Sequence, residues 1–158
     1  MDDIEIIATG SATEAGLATA RFGPRFGRLD LLSQLAVLAV ESLGIDFSAM
    51  PPERIGICLA VRAGSLSTDV EYWKGRDAAG GPSPMLFTYT LPSSAIGEIA
   101  IRYRLTGPNL CFIGDEALAL AEARALIRSR EVDACLCLFC EALTPPAAEM
   151  ISAPPSST

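Results

Sequence analysis

Residues 107–142 decide the fold class of this chain, and they read GPNLCFIGDEALALAEARALIRSREVDACLCLFCEA. The apolar run at residues 110–113 predicts a short strand, and Gly114 predicts a sharp turn directly after it. Residues 116–130 are rich in Ala, Leu and Arg, which favour a helix. The uncharged residues 134–139 predict a strand that is covered on both faces. A strand, a helix and a strand in this order predict a parallel α/β unit.

The segments before this unit continue the same alternation of strands and helices. A β-branched run at residues 3–9 predicts a first strand, and the uncharged residues 55–61 predict a doubly covered central strand. Asp30 can cap a helix that runs to residue 43, where Gly44 can end it. The other predicted helices are 68–73, opened by a Thr68–Glu71 capping box, and 92–105, with Pro92 in its first turn. The chain therefore predicts a layered α/β fold with a mostly parallel sheet.

Composition and charge limit the possible partners. The chain has 158 residues, which suits one domain with a substantial core. Its net charge of −7 argues against binding to nucleic acid and against docking on an anionic membrane surface. No apolar run is long enough to span a bilayer, and the acidic start lacks the layout of a secretion signal.

The cysteines indicate a cellular compartment, and the prolines and serines indicate a domain boundary. The five cysteines are an odd number and fall mostly in apolar strands, which indicates free, buried thiols in a reducing cytoplasm. Prolines and serines accumulate after residue 143. We therefore expect one domain over residues 1–143 and a loose tail over residues 144–158, with a last strand through residues 149–152 as the open alternative.

The sequence contains no histidine. This absence removes the Ser-His and Cys-His pairs of nucleophilic catalysis and most zinc sites. It also removes the side chain that acts most often as a general base. Any catalytic site in these residues would need another source of proton transfer.

The order of several motifs resembles the N-terminal half of β-ketoacyl synthases, the condensing enzymes of fatty acid and polyketide synthesis with the thiolase fold. The motifs, which spread over roughly residues 3–142, are Arg-Ile-Gly-Ile at 54–57, Pro-Met-Leu-Phe at 84–87, Gly-Glu-Ile-Ala-Ile-Arg-Tyr-Arg-Leu-Thr-Gly-Pro at 97–108, Val-Asp-Ala at 132–134 and Glu-Ala at 141–142. The resemblance implies a thiolase-like half domain, with α-β-α layers around a five-stranded, mostly parallel mixed sheet. In the family two such halves are fused. A cysteine at a strand-to-helix turn takes the acyl chain, and two histidines, or a histidine and an asparagine, from the second half drive decarboxylation.

The chain departs from this family pattern at the places that carry the chemistry. The nucleophile turn, of the Thr-Ala-Cys-Ser type in the family, reads Ile-Gly-Asp-Glu-Ala at residues 113–117. A count without gaps from the preceding Gly-Pro places Glu116 where the cysteine belongs, and a count backward from the following strand indicates a short deletion. Arg104 stands where the family usually has glycine. We therefore expect a degenerate turn at Gly114, Asp115 and Glu116, no catalytic residue, no cofactor and no metal.

Asp115 and Glu116 allow two interpretations, as a catalytic carboxylate pair or as helix-terminal charges. Adjacent residues at a helix start diverge by roughly 100° around the axis, so the two carboxylates do not face one substrate. A carboxylate also replaces a thiolate poorly in acyl exchange. We expect Asp115 to cap the following helix, with both charges at its positive end.

The cysteines and serines favour structural roles. Cys135, Cys137 and Cys140 lie in an apolar strand, where buried thiols are a better interpretation than metal ligands. Cys111 lies inside a strand, before the turn, which favours a core or interface role over that of a displaced nucleophile. As candidate nucleophiles, three serines lack a base to activate them: Ser65, Ser93 and Ser94.

The sequence favours an interaction or accessory subunit in fatty acid or polyketide-type synthesis, without catalytic activity of its own. In the resembled family, the strand that leads to the nucleophile pairs antiparallel with its twofold mate at the dimer interface. The residues expected at that interface are Asn109, Leu110, Cys111, Phe112 and Ile113. The expected partner is a second copy of the chain or a full-length ketosynthase.

Two other functions stay open at this stage. One is an acyl or acyl-carrier-protein binding module, which would need a basic entrance near Arg62, Arg102 or Arg104. The other is one half of a split condensing or decarboxylating enzyme that a separate chain completes. In that case Glu116 would be a loose counterpart of the glutamine found in decarboxylating relatives.

Overall fold

The computed structural model describes residues 4–20, 22–141 and 144–152. The strands in this part of the chain are Glu5–Ser11 (β1), Ile55–Val61 (β2), Asn109–Ile113 (β3), Ala134–Glu141 (β4) and Thr144–Ser152 (β5). The helices are Glu14–Leu17 (α1), Leu31–Glu41 (α2), Leu66–Lys74 (α3), Pro84–Thr88 (α4), Ser93–Tyr103 (α5) and Glu116–Arg128 (α6). Short 3-10 turns lie at Phe26–Arg28, Phe47–Ala49, Pro52–Arg54 and Gly75–Asp77.

The described strands form one five-stranded sheet in the order β1-β5-β4-β2-β3. β2 pairs in parallel with both β3 and β4, whereas β5 pairs antiparallel with both β4 and β1. Four of these five described strands therefore run in one direction, and β5 runs against them. The predicted α/β class with a mixed, mostly parallel sheet is confirmed.

Helices cover both faces of the central strands. All seven residues of β2 are buried, and β4 is buried except at the partly exposed Phe139. α2 and α5 pack on one face, where the core includes Leu35, Ile57 and Leu136. α6 packs on the other face, against a smaller cluster around Cys58. Such double coverage is the reason that β2 and β4 carry no polar alternation.

The segment expected as a loose tail contains a strand instead. Residues 144–152 form β5, which lies between β1 and β4, so the prediction of a loose tail is wrong for these residues. Pro145 and Pro146 made the segment resemble a tail. They fall at a register irregularity, where Phe139 pairs with Ala147 and Glu141 pairs with Thr144, so neither proline belongs to a ladder pair. The rest of the expected tail, residues 153–158, lies outside the described residues.

The predicted capping box on the third helix is wrong. α3 begins at Leu66, two residues before Thr68, and Thr68 is buried inside it. The Thr68 hydroxyl donates to Oδ2 of Asp30 at 2.9 Å. Oδ1 of Asp30 accepts from the Ser33 amide at 3.0 Å, which confirms Asp30 as the cap of α2. Thr68 therefore makes a tertiary contact with Asp30 and does not cap its own helix.

Smaller differences concern the first strand. β1 runs from Glu5 to Ser11, so Gly10 lies within the strand and does not end it. A Cβ atom at Gly10 would lie 2.4 Å from Oγ of Ser42 and 2.7 Å from the Ala39 carbonyl oxygen. The glycine is explained by the close approach of α2, and not by a turn. Asp3, the predicted start of the strand, lies outside the described residues.

Arg104 takes a backbone conformation that favours glycine. Its φ of 58° and ψ of 35° are left-handed, and it directly follows the last residue of α5. The Leu105 amide donates to the Ala100 carbonyl at 3.0 Å, as in a Schellman ending. An L side chain in this conformation costs roughly 1 kcal/mol that glycine would not.

An ion pair connects the starts of β2 and β4. The Arg54 guanidinium donates to both carboxylate oxygens of Asp133, at 2.6 and 3.0 Å. It also donates to the carbonyls of Arg130 and Glu131, at 2.9 and 3.0 Å. Hydrogen bonding to Arg54 lowers the pKa of the Asp133 carboxyl. The bidentate geometry fixes the turn after α6 against the edge of the sheet.

Gly107 provides the sharpest stability test of this fold. A Cβ atom there would lie 2.2 Å from the Ile55 carbonyl oxygen, so Gly107→Ala must shift backbone at the start of β2. We expect Gly107→Ala to lower the free energy of unfolding by about 1–3 kcal/mol, measured by urea denaturation.

The matched control is Gly97→Ala in α5, where a Cβ atom would meet nothing within 4 Å among the described residues. Because glycine weakens a helix interior, this variant should gain roughly 0.5–1 kcal/mol. Equal effects at the two positions would contradict the close contact at Gly107.

Candidate functional site

The strand-to-helix turn between β3 and α6 is built as the sequence predicts. β3 ends at Ile113, and α6 begins at Glu116. The Gly114 amide donates to the Val61 carbonyl at 2.9 Å, which attaches the turn to the neighbouring strand β2. This turn lies at the carboxyl edge of the parallel strands, where α/β proteins commonly hold their ligands.

Asp115 caps α6. Its backbone is extended, with φ −108° and ψ 178°, and its Oδ1 accepts from the Leu118 amide at 3.1 Å. This contact confirms the prediction that Asp115 is a helix cap. Glu116 follows as the first helical residue and is exposed, with its charge at the positive end of the helix. The two carboxylates therefore act on the helix end and not jointly on one site.

Glu149 of β5 is a further carboxylate on this side of the sheet, and the sequence reasoning missed it. Its register partners are Thr9 and Cys137, and Oε2 is buried without a hydrogen-bond partner among the described residues. Burial raises the pKa of Glu149, and the charge of Glu116 adds to this effect, while Arg124 opposes it. The signal in the sequence is an isolated Glu within the apolar run of β5.

Glu141 anchors the carboxyl edge of the sheet. It ends β4, is buried, and accepts from the amides of Arg62 and Ala63, the latter at 3.3 Å. The Arg62 guanidinium lies over the Phe139 ring, 5.2 Å from its centroid. Glu141 thereby joins the end of β4 to the turn after β2. This role explains the Glu-Ala motif of the sequence, and its long-range partners were not evident there.

The cysteines of β4 do not form a common ligand set. Cys135 packs on the α6 face, with its Sγ 3.7 Å from Sγ of Cys58, whereas Cys140 packs on the α2 face. Hydrogen bonding to Cys137 and Cys58, together with burial, raises the pKa of Cys135, and burial raises that of Cys140. The prediction that the three cysteines of β4 are free and buried is confirmed. Within the described ranges, no group of three or more His, Cys, Asp or Glu side chains could hold a metal ion.

The remaining candidate nucleophiles are one cysteine and three serines, and two of the serines are hydrogen-bonded. Cys111 is half-buried in β3 against the α2 and α5 side, and burial raises its thiol pKa. The Ser65 hydroxyl donates to the Thr90 carbonyl, and the Ser94 hydroxyl donates to the Thr88 carbonyl, each at 2.6 Å. Ser93 is exposed at the first position of α5.

The basic residues proposed for a carrier-protein entrance are not brought together. Arg62 follows β2 at the carboxyl edge of the sheet, whereas Arg102 and Arg104 lie at the end of α5 that leads into the start of β3. Arg102 packs over the Phe22 ring at 4.6 Å and lies 3.7 Å from Glu41. No helix in the described part of the chain combines the length and apolar character that a membrane span needs.

The Glu149 carboxylate, whose Oε2 has no hydrogen-bond partner among the described residues, predicts a pH-dependent stability. Its raised pKa means that the ionised form is destabilised in the folded protein. Above the folded pKa this cost is fully present, and it disappears as the pH falls toward the pKa of the unfolded chain, about 4.3. Glu149→Gln should therefore raise the thermal midpoint by about 2 °C at pH 7 and by much less near pH 4.

The control is Glu71→Gln at an exposed position of α3, which should change the midpoint little at either pH. Differential scanning fluorimetry at both pH values makes the comparison. A glutamine variant that is less stable at pH 7 would show that the Glu149 carboxylate has a favourable partner.

Comparisons with known proteins agree with this architecture. A polyketide β-ketoacyl synthase 1 of Streptomyces virginiae is 32% identical over 124 residues, which cover 67% of this chain and 29% of the relative. The ishigamide ketosynthase/chain length factor matches with a TM-score of 0.75 at 20% identity, over 93% of this chain and 55% of its own. A type II polyketide synthase acyl-carrier protein in complex with its ketosynthase, AntDE:AntF, matches with a TM-score of 0.83 at 14% identity, over 95% of this chain and 62% of its own.

These likenesses extend over part of the relatives. The chain spans less than a third of the curated relative and little more than half of the first solved structure. A ketosynthase of Xenorhabdus doucetiae, ApeO, in complex with its chain length factor ApeC matches with a TM-score of 0.70 at 15% identity, over 96% of this chain and 79% of its own. The family model of the β-ketoacyl synthase N-terminal domain matches residues 25–152. With this match and with a thiolase-like sheet that leads into a strand-to-helix turn, the chain belongs to the β-ketoacyl synthase family.

Proposed function

We propose that this chain is a ketosynthase-like accessory subunit, which forms no acyl-enzyme and works by pairing with another subunit in fatty acid or polyketide-type synthesis. The observation that carries the proposal is the turn between β3 and α6. The Asp115 carboxylate accepts a hydrogen bond from the Leu118 amide, and Glu116 opens the helix at the turn that carries the nucleophile in the resembled family.

The turn lacks the groups that acyl transfer requires. Residues 113–118 contain no Cys, Ser or Thr. Cys111 is the cysteine nearest in sequence, but it lies within β3, and its raised pKa keeps the thiol protonated near neutral pH. The carboxylate of Glu116 is a weak nucleophile toward a thioester. These properties support a subunit that does not carry the acyl chain.

The outer edge of β3 supports the pairing function. Among the described residues β3 pairs with β2 and has no strand on its other side. The Ile57 amide donates to Pro108, and the Gly114 amide donates to Val61, so the backbone groups of Asn109, Cys111 and Ile113 point away from β2. Unpaired groups on an uncharged edge strand invite a further strand.

The solved relatives are consistent with a paired subunit. Two of those named above are ketosynthases with chain length factors. A second copy of this chain and a full-length ketosynthase are the two partners that fit the proposal. The free and mostly buried thiols of the chain support a reducing compartment, which would be the cytoplasm.

Acyl transfer is tested directly by intact-mass spectrometry. The purified chain, incubated with acyl-CoA or malonyl-carrier protein, should show no acyl adduct and release no carbon dioxide. An active ketosynthase in the same buffer is the positive control. Carbon dioxide release that Glu116→Ala abolishes, or a stable acyl adduct on this chain, would show that the turn is catalytic.

The β3 edge is tested by Ile113→Lys. Ile113 is 69% exposed, so a charge there should leave the fold intact while opposing strand pairing. Light scattering behind a sizing column, with the chain alone and with a full-length ketosynthase, measures the complex. We expect the dissociation constant to rise at least about tenfold, which corresponds to ~1.4 kcal/mol.

The matched control is Ile101→Lys, since Ile101 is 61% exposed on α5 and borders a cleft that Phe26 and Val37 also line. It should leave association unchanged. Equal complex formation by all three proteins would rule out the β3 edge as the contact, and failure of the unmodified chain to pair with either partner would refute the subunit function.

A further inference from the structure

The Phe22 cleft lies on the α2 and α5 side of the sheet, where residues 22–29 contact both helices. Its apolar wall is formed by Phe22, Phe26, Leu29 and Val37. The cavity measures about 260 Å³, and a neighbouring cavity of about 340 Å³ is lined by the same two phenylalanine rings. Together the two cavities fall within the size range of small-molecule sites, roughly 300–1,000 Å³.

Two arginines border this cleft, although the chain as a whole is acidic. The charged side chains among its described lining residues are Arg25, Arg102 and Glu98, two positive charges and one negative, which gives a local charge of +1. The whole chain carries a net charge of −7. The cleft therefore combines an apolar wall with a locally positive charge, and it is complementary to an anion that carries an apolar body.

Glu98 fixes the guanidinium of Arg25. Nε and Nη2 of Arg25 donate to the two carboxylate oxygens of Glu98 at 3.1 and 3.2 Å, and this contact raises the pKa of Arg25. Oε1 of Glu98 also accepts from the Tyr89 hydroxyl at 3.3 Å. The Glu98 side chain is 12% exposed, whereas that of Arg25 is 65% exposed. Arg25 is therefore an oriented cation in contact with water, and an anion can bind to it with little further ordering.

Aromatic rings orient Arg102 more closely than its ion pair does. Its guanidinium lies 4.6 Å from the Phe22 ring centroid and 5.7 Å from that of Tyr103. Its Nε is 3.7 Å from a carboxylate oxygen of Glu41, which is longer than a hydrogen bond. Because stacking on a ring uses the face of a guanidinium, the N–H donors in its plane can still bind an anion.

We propose that the Phe22 cleft binds a small carboxylic acid with an apolar body, such as octanoate. The planar fork of an arginine matches the two oxygens of a carboxylate, and the apolar wall covers the body of the ligand. An inorganic anion would leave this wall in water, and an amine would be repelled by the two guanidinium groups.

The inference goes beyond the proposed pairing function. None of the described residues that line the Phe22 cleft belongs to β3 or to the turn that follows it. Binding of an acid in the cleft and pairing through the β3 edge are therefore separate properties, and each has its own test.

Isothermal titration calorimetry of the purified chain with octanoate tests the site. Octan-1-ol has the same carbon chain without the charge, and acetate has the charge without the apolar body. We expect octanoate to bind with a dissociation constant below ~1 mM, and octan-1-ol and acetate to bind at least about tenfold more weakly. Equal binding of octanoate and octan-1-ol would overturn recognition of the carboxylate.

Arg102→Gln supplies the mutational test, with Arg104→Gln as the control. Both substitutions remove one positive charge, and Arg104 is an exposed residue that is not among the described lining residues. We expect Arg102→Gln and Arg25→Gln each to weaken octanoate binding at least about tenfold, and Arg104→Gln to change it less than about twofold. Circular dichroism melting verifies that each variant folds.

Two outcomes would overturn the site. One is the absence of octanoate binding at millimolar concentration, and the other is equal weakening by Arg102→Gln and Arg104→Gln. If Arg102→Gln fails to fold, Arg25→Gln decides in its place, since the Arg25 side chain is mostly exposed. Neither outcome affects the proposed pairing function, which Ile113→Lys tests.

Discussion

The parallel pairing of β2 with β4 is the interaction on which the rest of the structure depends. Their register holds from Ile55–Ala134 to Ala60–Phe139, and helices cover both faces. Because buried strands must satisfy each other's backbone groups, the pairing fixes where both neighbours, β3 and β5, can lie. Arg54 and Asp133 close one end of this pair, and Glu141 closes the other with the amides after β2. The pair of β2 and β4 therefore also positions the turn between β3 and α6, which is hydrogen-bonded to the end of β2.

Sequence reasoning succeeded where local chemistry determines the structure. The uncharged strands β2 and β4 could be recognised because double burial leaves no polar residues. Asp115 could be recognised because a cap acts on amides three residues away. The predictions failed where a contact with a residue far away in the sequence determines the local structure. Thr68 serves the side chain of Asp30 in place of its own helix, and the prolines of β5 are accommodated by a register irregularity with β4.

The candidate site shows the same division. The missing nucleophile is visible in residues 113–118, and so the proposal of a non-catalytic subunit begins in the sequence. Glu149 could not be placed at this side of the sheet before β5 was known to be a strand, because its burial depends on α6 packing over it. The exposure of three apolar residues of α3, Leu66, Val70 and Trp73, was likewise not evident. Periodicity shows that a helix has an apolar face but not whether that face is buried.

Asp30 gives the outward face of α3 a fixed position. One oxygen of this carboxylate caps α2, and the other accepts from Thr68 in the middle of α3. The same helix is held at its start by the bond from Ser65 to the Thr90 carbonyl. A surface held in place in this way loses little conformational entropy when a partner covers it. Because α3 is already ordered in the folded chain, a partner that covers it would lose little binding free energy to conformational entropy. The contact would therefore dissociate more slowly than one of equal area on a mobile segment.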